Sequence, residues 1–346
     1  MLTPCPFHSG FGGVQLSARL AWDGIAAEFG DRARMIGFGP GCSSSGSLSC
    51  SSSRARILLA SVRWRFETGA VLCWHVGLLK SAPLLARQGV PVALFLHGVE
   101  VWRQPEWLQR KLFERVTHYF TNSDFTWARF LHYYPAAKSK PHTTVALGLA
   151  APEIKAALPA GAPAALMLGR VVSSENYKGH AETIDAWPLV HQILPAAELW
   201  IAGGGDALDS LKQQAARLGM GPSIRFFGEI SETEKARLLA SCSALVLPSR
   251  GEGFGLVYLE AMRLGKACLV STLDAGREVV QPPEAGLAVD PLNRSELADA
   301  LVRLLSPGAE SAAMGERAGR RYDAHFTARH FQTRLVRALA GSGVWS

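Results

Sequence analysis

The strongest constraint on the fold is an alternation in the second half of the chain. Short apolar runs, "AALMLG" (164–169), "AELWIAG" (197–203), "SIRFFG" (223–228), "SALVLPS" (243–249) and "KACLVS" (266–271), are separated by stretches of helical length. Each run is long enough for one buried strand, and the intervals predict helices over roughly 178–194, 207–218, 232–241 and 256–264. Ser231 followed three residues later by Glu234 is a capping-box start for the third helix. Strand and helix alternating at this spacing predict a doubly wound α/β unit with a parallel sheet.

The first half alternates less cleanly. "AVLCWHV" (70–76), "VPVALFLHG" (90–98), "THYFTNS" (117–123) and "TTVALG" (143–148) read as strands, with a helix over 107–116. Only "MLTPCPF" precedes the first glycine-rich turn, so an opening strand is short or cut back. The serine-rich "GCSSSGSLSCSSSRAR" (41–56) reads as a mobile surface loop. At 346 residues the chain exceeds the usual size of a single core, so two domains are expected. The Ala/Pro-rich 149–164 reads as their linker. The expected organisation is residues 1–155, residues 156–327, and a last helix over 328–346 packing back on the first domain.

Bulk chemistry excludes several classes. No apolar run approaches the ~20 residues of a membrane span. The N-terminus lacks the pattern of a secretory signal, so a cytoplasmic protein is expected. None of the six cysteines is paired at C-x-x-C spacing, so neither a disulfide framework nor a zinc site is expected. Residues 1–150 carry 16 Lys/Arg against 8 Asp/Glu, a net +8, whereas residues 151–346 carry 20 against 21. A basic first half suits an anionic partner, although a solvated face explains the charge as well. Nucleic acid is not expected, because no recognition motif accompanies the charge.

Chemistry concentrates in "PSRGEGFGLVYLEAM" (248–262). The strand ends near Pro248 and a helix begins about Leu256, so Gly253, Phe254 and Gly255 lie where the first helical N–H groups lack intrahelical partners. Glycines let that backbone approach a ligand closely. Glu252 lies in the turn and Glu260 on the second helical turn, so the two carboxylates reach different parts of an extended ligand.

This segment resembles the E-x7-E signature of the retaining GT-B glycosyltransferases of family 4. The resemblance implies two Rossmann-like doubly wound domains facing across a cleft. It places Glu252 by the donor sugar and its leaving group, the backbone of Gly253, Phe254, Gly255 and Leu256 on the donor, and Glu260 on the ribose hydroxyls. "LGRVVSSENYKGH" (168–180) supplies Arg170 and Lys178, which the resemblance assigns to the pyrophosphate. Their spacing of eight implies a longer loop than is usual in the family. "HSGFGGVQLSARLAW" is similar to the family's N-terminal glycine loop and implicates Gly12 and Gly13 at the donor phosphates. His8 and Ser9 flank that loop. His97, ending "ALFLHGVEVW", matches a histidine that touches the donor sugar, with Glu100 and Trp102 nearby as candidates for the acceptor side. No G-x-G-x-x-G follows a full strand, which argues against an NAD enzyme.

The implied activity is metal-independent transfer of a hexosyl group from a nucleoside-diphosphate sugar, UDP- or GDP-linked, to a glycan or lipid-linked hydroxyl in polysaccharide or glycolipid synthesis. No cofactor is expected, and no D-x-D segment is present to hold a metal. "LQRKLFERV" and "ARFLHYYPAAKSK" mix cations with apolar residues, as a helix lying on an anionic membrane does; core packing explains the apolar residues equally. A nucleotide-sugar epimerase on the same fold, and a binding protein without transferase activity, remain open.

Overall fold

The computed structural model describes residues 1–4, 12–39, 48–151 and 161–343. His8, Ser9 and the expected boundary at residue 155 lie outside them. The chain forms two compact units: Met1–Leu149 with Phe326–Ser346, and Ala150–His325.

Among the described residues the first unit holds seven parallel strands: β1 (Leu2–Pro4), β2 (Met35–Phe38), β3 (Leu48–Ser51), β4 (Val71–Cys73), β5 (Val92–Leu96), β6 (His118–Thr121) and β7 (His142–Thr144), in the order β3-β2-β1-β4-β5-β6-β7. The opening strand is three residues long, yet it sits mid-sheet, pairing with both β2 and β4. All five residues of β5 are buried, the mark of a strand covered on both faces.

The serine-rich stretch corrects one expectation. Residues 48–51 are a strand paired in parallel with β2 from Met35↔Leu48 to Phe38↔Ser51, and a helix runs Arg54–Trp64 directly after it. An edge strand is held by backbone hydrogen bonds, so it needs no apolar run to form. A second correction concerns 143–148: β7 ends at Thr144, and the backbone beyond it turns toward the last helix. Leu149 N donates to Phe326 O at 2.9 Å, and a Cβ on Gly148 would lie 2.5 Å from Thr327 O. The last helix, Ala328–Gly341, then packs on helix Gly13–Phe29, with Gln332 Nε2 donating to Leu20 O at 3.1 Å.

Among its described residues the second unit holds six parallel strands: β8 (Ala164–Leu168), β9 (Glu198–Ala202), β10 (Ile224–Gly228), β11 (Ala244–Leu247), β12 (Ala267–Ser271) and β13 (Gly286–Val289), in the order β10-β9-β8-β11-β12-β13. Counted within the unit this is 3-2-1-4-5-6, the doubly wound order whose direction reverses between the first and fourth strands. β8, β11 and β12 are wholly buried. Ser231 caps its helix as expected, its Oγ accepting from Glu234 N at 3.1 Å. No helix among the described residues is long and apolar enough to cross a membrane.

Candidate functional site

In the second unit the order reversal falls between β8 and β11, which pair through Ala165 and Leu166. The segment after β8 carries Arg170 and Lys178; the segment after β11 carries Glu252 and Gly253–Gly255. Open α/β sheets place ligands at the carboxyl ends of the strands flanking such a reversal. The fold therefore brings together two segments about eighty residues apart in sequence.

Lys178 is the hub. Its Nζ lies 3.1 Å from Glu175 Oε2 and 3.9 Å from Glu252 Oε1, and its side chain is only 13% exposed. The long loop does not carry the lysine away: Nζ folds back to within 3.3 Å of where a Gly169 Cβ would sit, at the end of β8. Arg170, far more exposed, pairs with the other oxygen of Glu175. Two cations are thus joined by one carboxylate. Ser173 is tied to Asp206 by its backbone N (2.8 Å) and its hydroxyl (2.6 Å). At the other end of the loop Tyr177 O accepts from Arg250 N at 2.8 Å.

The glycines of 248–255 have local packing causes. A Cβ on Gly251 would come 2.6 Å from the Tyr177 ring. Gly255 has φ +85° and its Cβ would come 2.3 Å from the Tyr258 ring. Gly255 caps helix Leu256–Met262, and Phe254 is buried. The Glu252 backbone is clamped from below: its N donates to Asp274 Oδ2 at 3.3 Å and its O accepts from Ala275 N at 3.1 Å. Asp274 Oδ1 accepts from Gly276 N at 2.9 Å. Burial holds the Asp274 carboxyl well above the usual carboxylate range. Burial also raises the Glu252 carboxyl, partly offset by the Lys178 ammonium. Glu260 Oε1 accepts from Lys235 Nζ at 2.9 Å, and Lys235 also pairs with Glu232.

The first unit positions its own candidates through Trp74. The Trp74 indole N–H donates to Val14 O and Ser17 Oγ, both at 3.3 Å, fixing the start of the helix whose first residue is Gly13 and whose cap is Gly12. Its carbonyl lies 2.6 Å from His97 Nε2. A carbonyl only accepts, so Nε2 carries the proton and Nδ1 keeps a lone pair that can accept from a hydroxyl. Glu100 Oε1 accepts from His97 N at 2.6 Å. Trp102 stands edge-on to Phe125 at 5.5 Å.

Sequence reasoning missed Glu175, Asp206, Asp274 and Trp74. The triplet Gly203–Gly205 was the available signal for the shape of the Arg170 loop. A Cβ on Gly203 would come 1.7 Å from Gly169 O, and one on Gly205 would come 2.0 Å from Val171 O. Among the described residues no group of three His, Cys, Asp or Glu could hold a metal ion.

Burial pushes the imidazoles of His97 and His180 down to about 4 from 6.5. The unfolded chain therefore binds protons first as pH falls. Their contribution to stability is complete above pH 6.5 and is lost as pH falls toward 4, by about 3 kcal/mol for each group. The raised carboxyls of Glu252 and Asp274 act in the opposite sense. Thermal melts of His180→Gln and wild type across this window isolate the histidine: the variant is expected to lose less stability on acidification, and parallel profiles would contradict a buried neutral imidazole.

Residues 162–307 match the family model described as Glycosyl transferases group 1. The phosphatidyl-myo-inositol mannosyltransferase of Mycobacterium tuberculosis is 39% identical over 186 residues, 51% of this chain and 48% of that one. The GDP-mannose-dependent alpha-(1-6)-phosphatidylinositol monomannoside mannosyltransferase of the same organism is 31% identical over 167 residues, 46% and 42% of the two chains. The chain spans about half the length of the curated relatives it matches. Among solved structures, sucrose-phosphate synthase from Thermosynechococcus elongatus superposes with a TM-score of 0.82 at 18% identity, covering 100% of this chain and 99% of that one. The chain has the GT-B glycosyltransferase fold, and its residues 162–307 carry the match to the group 1 glycosyl transferases.

Proposed function

We propose that the chain is a retaining hexosyltransferase that takes its sugar from a nucleoside-diphosphate donor and delivers it to a hydroxyl of a glycan or lipid-linked acceptor. The observation that carries this reading is the Arg170–Lys178 pair at the carboxyl end of β8, beside Glu252. Two cations beside a carboxylate suit a diphosphate joined to a sugar. In the reaction the bond between the anomeric carbon and the phosphate oxygen breaks as the acceptor oxygen bonds to the same face. The acceptor proton passes to the departing phosphate oxygen. Arg170 and Lys178 stabilise the charge on the leaving diphosphate, an electrostatic contribution that is often the largest in catalysis. With these cations in place the proposed mechanism needs no metal. Glu252 and the Gly253–Leu256 backbone hold the sugar, and Glu260 the ribose.

GDP-mannose is the foremost donor, because relatives 31–39% identical over about half the chain are named as mannosyltransferases and one name specifies GDP-mannose. A lipid acceptor draws support from helix Arg54–Trp64, which leaves Leu58, Leu59 and Val62 exposed, with Phe66 following and Arg56, Arg63 and Arg65 among them. That combination suits peripheral contact with an anionic membrane. Thermal-shift titration with GDP-mannose and UDP-glucose, repeated with phosphatidylinositol vesicles, tests both points. A ligand of the folded state raises the melting temperature. Stabilisation by neither nucleotide sugar would contradict the donor reading; vesicle binding indifferent to anionic lipid would contradict the membrane contact.

A further inference from the structure

Glu175 is a half-buried carboxylate on the two cations that the proposed chemistry does not use. It lies between Arg170 and Lys178 in sequence, and in space it joins them: Oε1 pairs with Arg170 and Oε2 lies 3.1 Å from Lys178 Nζ. Its side chain is 12% exposed. One oxygen on each of two cations is the arrangement that two oxygens of a phosphate would adopt.

We infer that Glu175 is an internal competitor for the diphosphate subsite, an anion that must leave the two cations when the donor binds and that thereby sets donor affinity. The inference rests on the donor reading above. Charge supports it. Arg170 and Lys178 are balanced by Glu175 and Glu252, so a diphosphate would enter a site whose cations are already neutralised. Two like-charged groups on the same cations repel each other unless one withdraws.

The local backbone supplies the means. Glu175 lies in a 3-10 turn, Ser173–Lys178, and breaks its regularity with φ −117° and ψ 34°. Posts hold the turn on both sides: Asp206 grips Ser173, and Arg250 N is bonded to Tyr177 O. Between them Ser174 and Asn176 are exposed. The Glu175 side chain can therefore swing toward solvent without moving Lys178 or the 249–255 segment. The extra length of this loop lets Glu175 fold back onto the cations.

Calorimetric titration of the full chain with GDP, UDP and inorganic pyrophosphate tests the inference in wild type, Glu175→Gln, Lys178→Ala and the double variant. Glu175→Gln is expected to bind the tightest of these probes about tenfold more tightly, the scale of releasing a part-buried ion pair. Glu175→Ala should show the same gain, and the melting temperature without ligand checks that both variants fold. The gain should shrink in the Lys178→Ala background, where Arg170 is the one cation left for Glu175 to hold. Unchanged or weakened binding by Glu175→Gln, with Lys178→Ala still impaired relative to wild type, would overturn the inference and leave the donor reading standing. So would a gain that persists undiminished without Lys178. Absence of binding by every form would overturn both.

Discussion

Lys178→Ala is expected to lower kcat/KM for the sugar donor by about 10²–10³, the scale of removing one preorganised group from a developing charge. The reason is positional. Arg170 is largely exposed and its charge is screened by water, whereas the Lys178 ammonium is mostly buried and fixed between Glu175 and Glu252. A charge in that environment gains more from a departing diphosphate than an exposed one. Arg170→Ala should accordingly cost less than Lys178→Ala. Steady-state kinetics with both variants check the ranking, and equal losses would contradict the assignment of Lys178 as the hub. Lys178→Arg is not expected to restore activity, since a planar fork does not reproduce the compact charge that Lys178 Nζ places 3.1 Å from Glu175 and 3.9 Å from Glu252.

Glu252→Gln is the second large effect. The substitution keeps size and most hydrogen-bonding capacity while removing the charge beside Lys178. Its backbone is held by Asp274 and Ala275, so the loop should keep its shape and the melting temperature should move by only a few degrees. Transfer is expected to fall by about 10²-fold or more if the carboxylate assists charge development in the transition state. Donor binding should survive, so the loss should appear in kcat rather than in KM. Activity equal to wild type would remove Glu252 from the chemistry. An inactive wild type that still binds donor would favour a binding protein without transferase activity, and release of free nucleotide with no acceptor would favour the epimerase reading.

Legibility in the sequence divided along physical lines. Strands β8, β11 and β12 are buried on both faces, and that burial writes itself into the chain as unbroken apolar runs. β3 left no such trace: its place at the edge of the sheet is secured by backbone pairing with β2, and its serines look like a loop. β13 was missed because "GLAV" is short and built largely of small residues, one of them a glycine demanded by Cys268 O, 1.9 Å from where a Cβ would be.

The candidate site split in the same way. Glu252, Gly253–Gly255 and Glu260 are contiguous, so their pattern is visible in one short window. Glu175, Asp274 and Trp74 act only through partners brought close by folding, and no local spacing announces them. Gly253 and Gly255 were read as letting the backbone approach a ligand. Gly255 also leaves room for the Tyr258 ring, as Gly251 does for Tyr177, so packing contributes to the glycine content of this turn. The Lys235–Glu260 pair was equally invisible, since it joins two helices across 25 positions.

On the proposed function, the segments after β8 and β11 together hold a nucleoside-diphosphate sugar. A crystal structure of the protein with GDP would reveal whether they do. The expected result places the diphosphate on Arg170 and Lys178, with Glu175 turned away and the ribose hydroxyls on Glu260. A nucleotide bound elsewhere, with Glu175 still joining the two cations, would contradict it.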